Sequence, residues 1–392
     1  MATTEIMTVN MGPQHPSTHG VLRLLLELDG ERVVKATPHI GFLHRGVEKL
    51  SEHRNYHQVI PLTDRLDYLA PMSNNLGYVL AVEKLLGLTD AIPERAKTIR
   101  VIMAELTRLK SHLVWLACHG LDIGAMTVFI YCFRERENIM GFYEKISGAR
   151  MTSNYFRVGG LSADLPEGLD KEIRAFVEAM PGHIDTYEGL LTGNKIWQKR
   201  TQKVGVISAE DAIDIGLTGP ALRASGVDWD LRRDNPYSGY ENYDFVVPTH
   251  EDCDTWARYQ VRLVEMRESC KIITQALDRL QPGPILADAP KVCLPPKQKV
   301  VNTIEGLIHH FKIVTEGFKP AAGDIYQEVE APKGVLGYYL VSDGSPKPYR
   351  MKIRPPSFVN LQALPQMVEG SLLADVVAVI GTLDIVLGEI DR

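Results

Sequence analysis

The stretch Pro93–Gly120, PERAKTIRVIMAELTRLKSHLVWLACHG, decides the fold. Its apolar residues Ile99, Ile102, Leu106, Leu109, Leu113 and Leu116 recur at steps of three and four, the stripe of an α-helix buried along one side. Val101, Val114 and Trp115 widen that stripe, which implies burial on further sides. Pro93 suits the first helical position and Gly120 suits the stop. Working outward, a second long helix is expected over residues 127–147 and a third over 167–191. A fourth is expected over 254–280, ended by Gln281-Pro282-Gly283-Pro284. A fifth is expected over 299–315, with Ile304, Ile308 and Phe311 on one face. Several long helices imply a bundle core.

Both ends of the chain read as β. VLRLLLEL (Val21–Leu28) and ERVVKAT (Glu31–Thr37) flank Asp29-Gly30, a pair that signals a type I′ hairpin turn because both central residues need positive φ. Near the C-terminus GVLGYYLVS (Gly334–Ser342) and PYRMKIR (Pro348–Arg354) flank Asp343-Gly344, and a short helix is expected over 372–383. Residues 228–248 hold Trp229, Tyr237, Tyr240 and Tyr243 among turn formers, which suits an ordered loop rather than a solvated one. The fold class is therefore α+β, a central bundle of long helices with small sheets from both ends. Residues 1–392 are expected to form one domain: a hairpin and pocket loop over 1–60, the bundle over 61–330, and a β-region and tail over 331–392.

Composition excludes several functions. A net charge of -6 and no Lys/Arg block disfavour a nucleic-acid binder and a basic membrane patch. Neither GxGxxG nor GxxxxGK[ST] occurs, so the common nucleotide loops are missing. The five cysteines, Cys118, Cys132, Cys253, Cys270 and Cys293, form no CxxC pair and read as reduced thiols. No run of about 18 apolar residues crosses a membrane. The start, MATTEIMTVNMGPQHP, lacks the pattern of a secretory signal or a transit peptide.

Histidines concentrate early, eight of the twelve before residue 120. His15 and His19 are four apart in GPQHPSTHG (Gly12–Gly20), but the prolines and glycines make this a loop, which disfavours a helical metal pair. The remaining readings are a turn held by histidine hydrogen bonds, or a loop that places an imidazole in a cavity for proton delivery. In DRLDYL (Asp64–Leu69), Arg65 sits among carboxylates and is expected to be paired.

These segments carry a resemblance over essentially the whole chain, in order: NMGPQHPSTHGVLRL, PHIGFLHRGVEKL, DRLDYL, ELTRLKSHL, FRERE, LTGPALRASGVDWDLRR, YSGYENYDF, VSDGSPKPYR and RPPSFVNLQALP…LDIVLGEIDR. They are similar to the D subunit family of the NADH–quinone oxidoreductases (complex I), and GPQHPSTHG with SFVNLQ is highly specific to it. The short start looks bacterial, with no fused C subunit before it. That family resembles the large subunit of nickel–iron hydrogenases, which holds its metals with two Cys-x-x-Cys pairs. The matching regions here, Arg65–Leu69 and Asp384–Arg392, contain no cysteine. The resemblance thus implies a metal-free cavity that takes the headgroup of a quinone substrate.

The resemblance also implies roles. Tyr68 and His19 match the residues that hydrogen-bond the two quinone carbonyls, and Asp122 matches the carboxylate that partners the histidine. His15, in the same loop as His19, is a lesser candidate. Arg65 and Arg45 match arginines near the terminal [4Fe–4S] cluster, which lies in the partner B subunit; for Arg45 a structural ion pair serves equally. The implied partners are the B and C subunits and the membrane-arm H subunit, with the chain peripheral on the cytoplasmic side of the bacterial inner membrane. Electrons would come from NADH, or in a related complex from ferredoxin or another donor. A hydrogenase subunit is disfavoured by the missing cysteine pairs, and a pure scaffold by the three pocket residues. Many members carry histidine where this chain has Thr152, which cannot titrate near neutral pH.

Overall fold

A computed structural model describes residues 6–392. The reading of the first five residues therefore lies outside the described part. The central helix spans Glu94–Asp122, with Pro93 as its N-cap rather than its first helical residue. It runs past Gly120, because the turn back is made at Ile123–Ala125 instead, where Ala125 N–H donates to the Gly120 carbonyl at 2.7 Å. All six stripe residues from Ile99 to Leu116 are fully buried. At about 1.5–3 kcal/mol for each buried aliphatic side chain, this stripe dominates the helix's contribution to the core. The polar face is buried as well: Arg100, Glu105, Arg108, Lys110 and His112 are all inaccessible. Helices Met126–Ser147, Leu169–Leu191 and Thr255–Asp278 complete the expected bundle.

The polar face is accommodated by a network of ions. Arg108 meets Glu105 and Glu265, each at 3.2 Å, and Arg232 meets Glu105 at 3.2 Å and Asp230 at 2.7 Å. Arg223 meets Glu265 at 3.0 Å and Glu330 at 2.9 Å. This network joins the central helix to Thr255–Asp278 and to the segment 228–248, whose Tyr240 hydroxyl donates to Glu105 at 2.6 Å. The ordered-loop reading of 228–248 is met, with short helical turns at Leu231–Asp234 and Tyr240–Asn242.

One bundle helix, Pro71–Leu85, has no amphipathic signal because nearly all of it is buried. Asn75 is satisfied there by donating to the Ile60 carbonyl at 3.2 Å and to Thr63 Oγ1 at 2.8 Å. The expected helix over 299–315 is two helices, Lys297–Asn302 and Ile304–Thr315. Thr303 breaks it: its hydroxyl accepts from Gly306 N–H at 3.1 Å and caps the second helix. The face that carries the apolar residues Ile304, Ile308 and Phe311 is exposed, Ile304 at 74% and Phe311 at 63%.

The N-terminal sheet has three antiparallel strands in sequence order, Met7–Met11, Arg23–Asp29 and Arg32–His39. The hairpin is as expected but its turn is not type I′. The loop is Gly30-Glu31, between the paired Asp29 and Arg32, and only Gly30 has positive φ, the pattern of a II′ turn. At the other end Gly323–Ala331, Gly334–Ser342 and Arg350–Arg354 form an antiparallel meander that begins ahead of residue 331. Asp343-Gly344 lies in the longer loop before Arg350. Gly77 lets the Pro71–Leu85 helix approach this sheet; a Cβ there would lie 3.0 Å from the Tyr338 ring.

A second core joins the chain ends. Leu22, Leu24, Leu26 and Leu28 alternate inward from the first sheet and pack with Val376, Val379, Ile380 and Leu383 of the helix Leu373–Leu383. The GPQHPSTHG loop is thereby set against residues 381–386. No described helix is long and apolar enough to cross a membrane.

Candidate functional site

Where the ends meet, a cavity of about 300 Å³ opens. Four segments line it: the loop from Pro16 to His19, Tyr68-Leu69, the last two turns of the central helix, and Gly381 to Val386. His19, Tyr68 and Asp122, far apart in sequence, all face it. Its apolar walls come from Val114, Trp115, Leu121, Ile385 and Val386.

His19 ends the short turn Pro16–Thr18 in a left-handed conformation, φ 52°, with its N–H donating to the Pro16 carbonyl at 3.2 Å. Burial lowers the pKa of its ring to about 4, against an opposing pull from the Ile385 backbone, and nearby Lys333 pushes the same way as burial. The ring is therefore neutral near pH 7. His15 lies outside the cavity. Its Nδ1 accepts from Ser17 N–H at 3.2 Å, so the hydrogen-bonded turn is its observed role.

Tyr68 is half-buried. Burial first, and then Asp67, raise its pKa above the ordinary phenol range, so it keeps its proton. Asp122 is the last residue of the central helix, and burial raises its pKa to about 6. No hydrogen bond or ion pair joins Asp122 to His19 among the described residues. The expected imidazolium–carboxylate pair is thus not made, for burial disfavours charge on both partners.

The fixed charge lies behind the cavity. Lys333, fully buried, has its Nζ 2.9 Å from Asp67 Oδ2 and 3.6 Å from Asp384 Oδ2, and it donates to Ser111 Oγ at 2.9 Å. Burial works against this ammonium, but Asp384 and Asp67 override it and hold its pKa above the ordinary range. Asp67 also accepts from the N–H groups of Leu69 (3.0 Å) and Ala70 (3.3 Å), which fixes the backbone on either side of the Leu69 cavity wall. Sequence reading missed Lys333, Asp384, Trp115 and His119. A lone Lys in EAPKG reads as solvated, and only its tertiary carboxylates reveal otherwise.

Arg45 and Arg65 do not line the cavity. The Arg45 guanidinium donates to the Arg65 carbonyl and, at 2.9 Å, to the Gly388 carbonyl, clamping DRLDYL to the C-terminal helix Leu387–Asp391. Arg65 is exposed and donates to the Pro61 carbonyl at 2.6 Å rather than to a carboxylate. Thr152 is exposed as well. The regions Arg65–Leu69 and Asp384–Arg392 are thus adjacent, and both reach the cavity. Among the described residues no group of three or more His, Cys, Asp or Glu is placed to hold a metal ion. All five cysteines are free thiols.

Comparison with known proteins gives one answer. Residues 122–392 match the family model described as the respiratory-chain NADH dehydrogenase 49 kDa subunit. The NADH-quinone oxidoreductase D subunit of Geotalea uraniireducens (strain Rf4) is 76% identical over 392 residues, covering 100% of both chains. The D subunit of Geobacter sulfurreducens is likewise 76% identical over the full length of both. A NADH-quinone oxidoreductase D subunit of Solibacter usitatus is 58% identical over 386 residues, 98% of this chain and 94% of its own.

Proposed function

The chain belongs to the 49 kDa, or D, subunit family of the NADH–quinone oxidoreductases, and on that premise we propose that its cavity is where the quinone headgroup is reduced. It is a subunit of an oxidoreductase complex, so other subunits of that complex are its partners. The reading is carried by one observation: three groups able to exchange or donate protons, from three remote segments, face one apolar-walled cavity. A volume of about 300 Å³ suits a headgroup, at the lower end of small-molecule sites.

Quinone reduction takes two electrons and two protons. In this proposal the electrons arrive from the terminal [4Fe–4S] cluster of the partner B subunit, with NADH as the distant donor. Tyr68 donates its phenol O–H to one ring oxygen. His19, neutral, donates an N–H to the other. Asp122, whose pKa of about 6 leaves it partly protonated near neutrality, delivers one proton to the reduced ring and, once reprotonated from solvent, the second. The Lys333 ammonium, held in place by Asp67 and Asp384, stabilises negative charge as it develops on the ring. Arg45 and Arg65 lie on the side that would face the B subunit. The C subunit and the membrane-arm H subunit complete the proposed contacts, with the chain peripheral on the cytoplasmic side of the bacterial inner membrane.

The test is Tyr68→Phe in the intact complex. The ring volume is kept and the O–H is lost. Quinone reduction should fall by roughly tenfold or more, the scale of one hydrogen bond to developing charge, while reduction of an artificial acceptor at the electron-input end survives. An assembled variant with the parental rate and an unchanged KM would remove Tyr68 from the headgroup site.

A further inference from the structure

A groove of about 1020 Å³ lies elsewhere on the molecule and shares no residue with the cavity between the chain ends. Three parts of the chain wall it: the entry to the central helix, the loop over 284–296, and the first turns of the helix Ile304–Thr315. Five prolines, Pro93, Pro284, Pro290, Pro295 and Pro296, line it, and each fixes its own φ. The loop they stiffen is pinned to the hairpin over 156–161. Leu161 N–H donates to the Ile285 carbonyl at 3.1 Å, and Ala287 N–H donates to the Gly159 carbonyl at 2.8 Å. Gly160 permits that approach, for a Cβ there would fall 1.9 Å from the Ile285 oxygen. A groove preformed in this way is filled with little ordering cost.

Its charge is unbalanced. Asp90, Glu94, Asp288 and Glu305 line the groove, against Lys299 and the imidazole of His309. Glu94 is taken up by Lys97 at 2.7 Å. Asp90, Asp288 and Glu305 are exposed, and none has an ion-pair partner among the described residues. Glu305 and His309, four apart, turn one flank of their helix toward the groove. The adjoining face of the same helix carries Ile304, Leu307, Ile308 and Phe311, all exposed. Apolar surface bordered by uncompensated charge has the make-up of a protein interface, an apolar centre with a polar rim. A small ligand would fill the groove and leave the helix face bare.

We propose that this groove, together with the exposed face of the helix Ile304–Thr315, seats a basic and apolar segment of another subunit of the complex. The chain belongs to a family of complex subunits, so a partner of this kind is at hand. Lysine or arginine side chains of the segment meet Asp90, Asp288 and Glu305 at the rim. Its apolar side chains cover the proline walls and Phe311. Rim charges act on encounter and on the choice of partner more than on final affinity, so the three carboxylates select the segment while the apolar surface holds it. The seat serves assembly, and the chemistry of the quinone cavity does not pass through it.

The test uses the purified, intact complex. A photo-crosslinking aromatic amino acid replaces Leu294, an exposed residue of the groove wall, and in a second variant replaces Phe311. After irradiation the adducts are mapped by mass spectrometry of their peptides. From both positions they should join this chain to one and the same other subunit, at a segment with lysine or arginine within a few residues of the attachment. Adducts confined to this chain or to a second copy of it, adducts to a segment without basic residues, or no inter-subunit adduct from position 294 would each overturn the seat, whatever position 311 touches. Asp90→Lys, Asp288→Lys and Glu305→Lys, introduced together in the Leu294 variant, test the charge. All three side chains are exposed, so the fold should survive. The adduct yield should fall roughly tenfold, since each exposed pair lost is worth about a factor of two and reversal adds repulsion. Loss of that same subunit from an otherwise assembled complex is the same result in stronger form. A yield within about twofold of the parent's would overturn recognition by charge. If the triple variant does not accumulate, Asp288→Lys alone is read in the same way, with roughly a threefold fall expected.

Discussion

Replacing Lys333 with Met tests what holds the cavity shut at its back. Met matches the length of the lysine stem and fills irregular space, so the change isolates the charge. It removes an ammonium that lies 2.9 Å from Asp67 and 3.6 Å from Asp384, with all three side chains inaccessible. Breaking a buried ion pair from one side costs about 3–5 kcal/mol, because the partner charges remain unpaired. Even about 3 kcal/mol corresponds to an opening equilibrium raised more than a hundredfold. The expected consequence is local: amide hydrogen exchange in the purified complex should quicken in peptides spanning residues 64–70 and 381–388. The pH dependence has a definite sign. Burial already raises the Asp384 pKa, and Lys333 pulls it down. Without Lys333 it rises further, so the folded variant binds a proton that the unfolded chain does not. The deficit should shrink as pH falls from about 8 to about 5 and grow as it rises. Lys333→Met with Asp384→Asn should recover part of the loss. Protection unchanged within about threefold at pH 8, against that hundredfold expectation, would refute the reasoning, for the ammonium would then be dispensable to the seam.

Asp122→Asn should lower quinone reduction by about a hundredfold, at the lower end of general acid contributions, and the part of the pH–rate profile that declines above about 6 should flatten; a profile superimposable on the parent's would exclude Asp122 as a proton donor. Gly219→Ala should destabilise the fold by more than about 2 kcal/mol, since φ is +68° and the new Cβ would fall 2.4 Å from Gly334 Cα. Gly30→Ala, where φ is +60° but no atom lies within 4 Å, should cost only about 1 kcal/mol; equal shifts in the unfolding midpoint of the two would count against the close-approach argument. Separated from its complex, the chain should aggregate, because Ile304, Leu307, Ile308 and Phe311 stand exposed at helical spacing along the helix Ile304–Thr315; a monodisperse monomer by light scattering would contradict this.

How much of this was legible follows from what a residue's neighbours in sequence can reveal. The central helix was visible because its stripe repeats with the helical period. The N-terminal hairpin was visible because the leucines alternate. Pro71–Leu85 was not, since a helix buried nearly all round has no polar face to set a period. The break at Thr303 was hidden because the apolar spacing continues through it while the cap competes locally. Nothing in the local sequence marks Arg108, Glu105 and His112 as buried. Their burial depends on Glu265, Arg232 and Arg223, which arrive from more than a hundred residues away. The cavity residues His19, Tyr68 and Asp122 came from the resemblance, and their shared cavity from the structure. His119 was one histidine among eight, with nothing in its spacing to single it out from the core.

The placement of charge around the cavity narrows what each group can do. If His19 carried a proton at rest, it would add a second cation in the field of Lys333. Burial and the Lys333 field act together to prevent this. The permanent positive charge is instead kept behind the wall, neutralised by Asp67 and Asp384 until negative charge appears in the cavity. Of the groups facing the proposed substrate, the protonated phenol and the neutral imidazole donate hydrogen bonds without changing charge, and Asp122, with a pKa of about 6, donates only in its protonated fraction. On the proposed reading, a neutral quinone would bind among these groups, and the reduced ring would meet the ammonium field of Lys333 and a proton held by Asp122. A site of that kind would favour the developing charge over the ground state, which is the condition for accelerating the step rather than merely binding the substrate. The same condition depends on both ends of the chain. Tyr68 and the C-terminal segment are tied together by Arg45 and Lys333, so the cavity exists only once the first and last parts of the sequence have met.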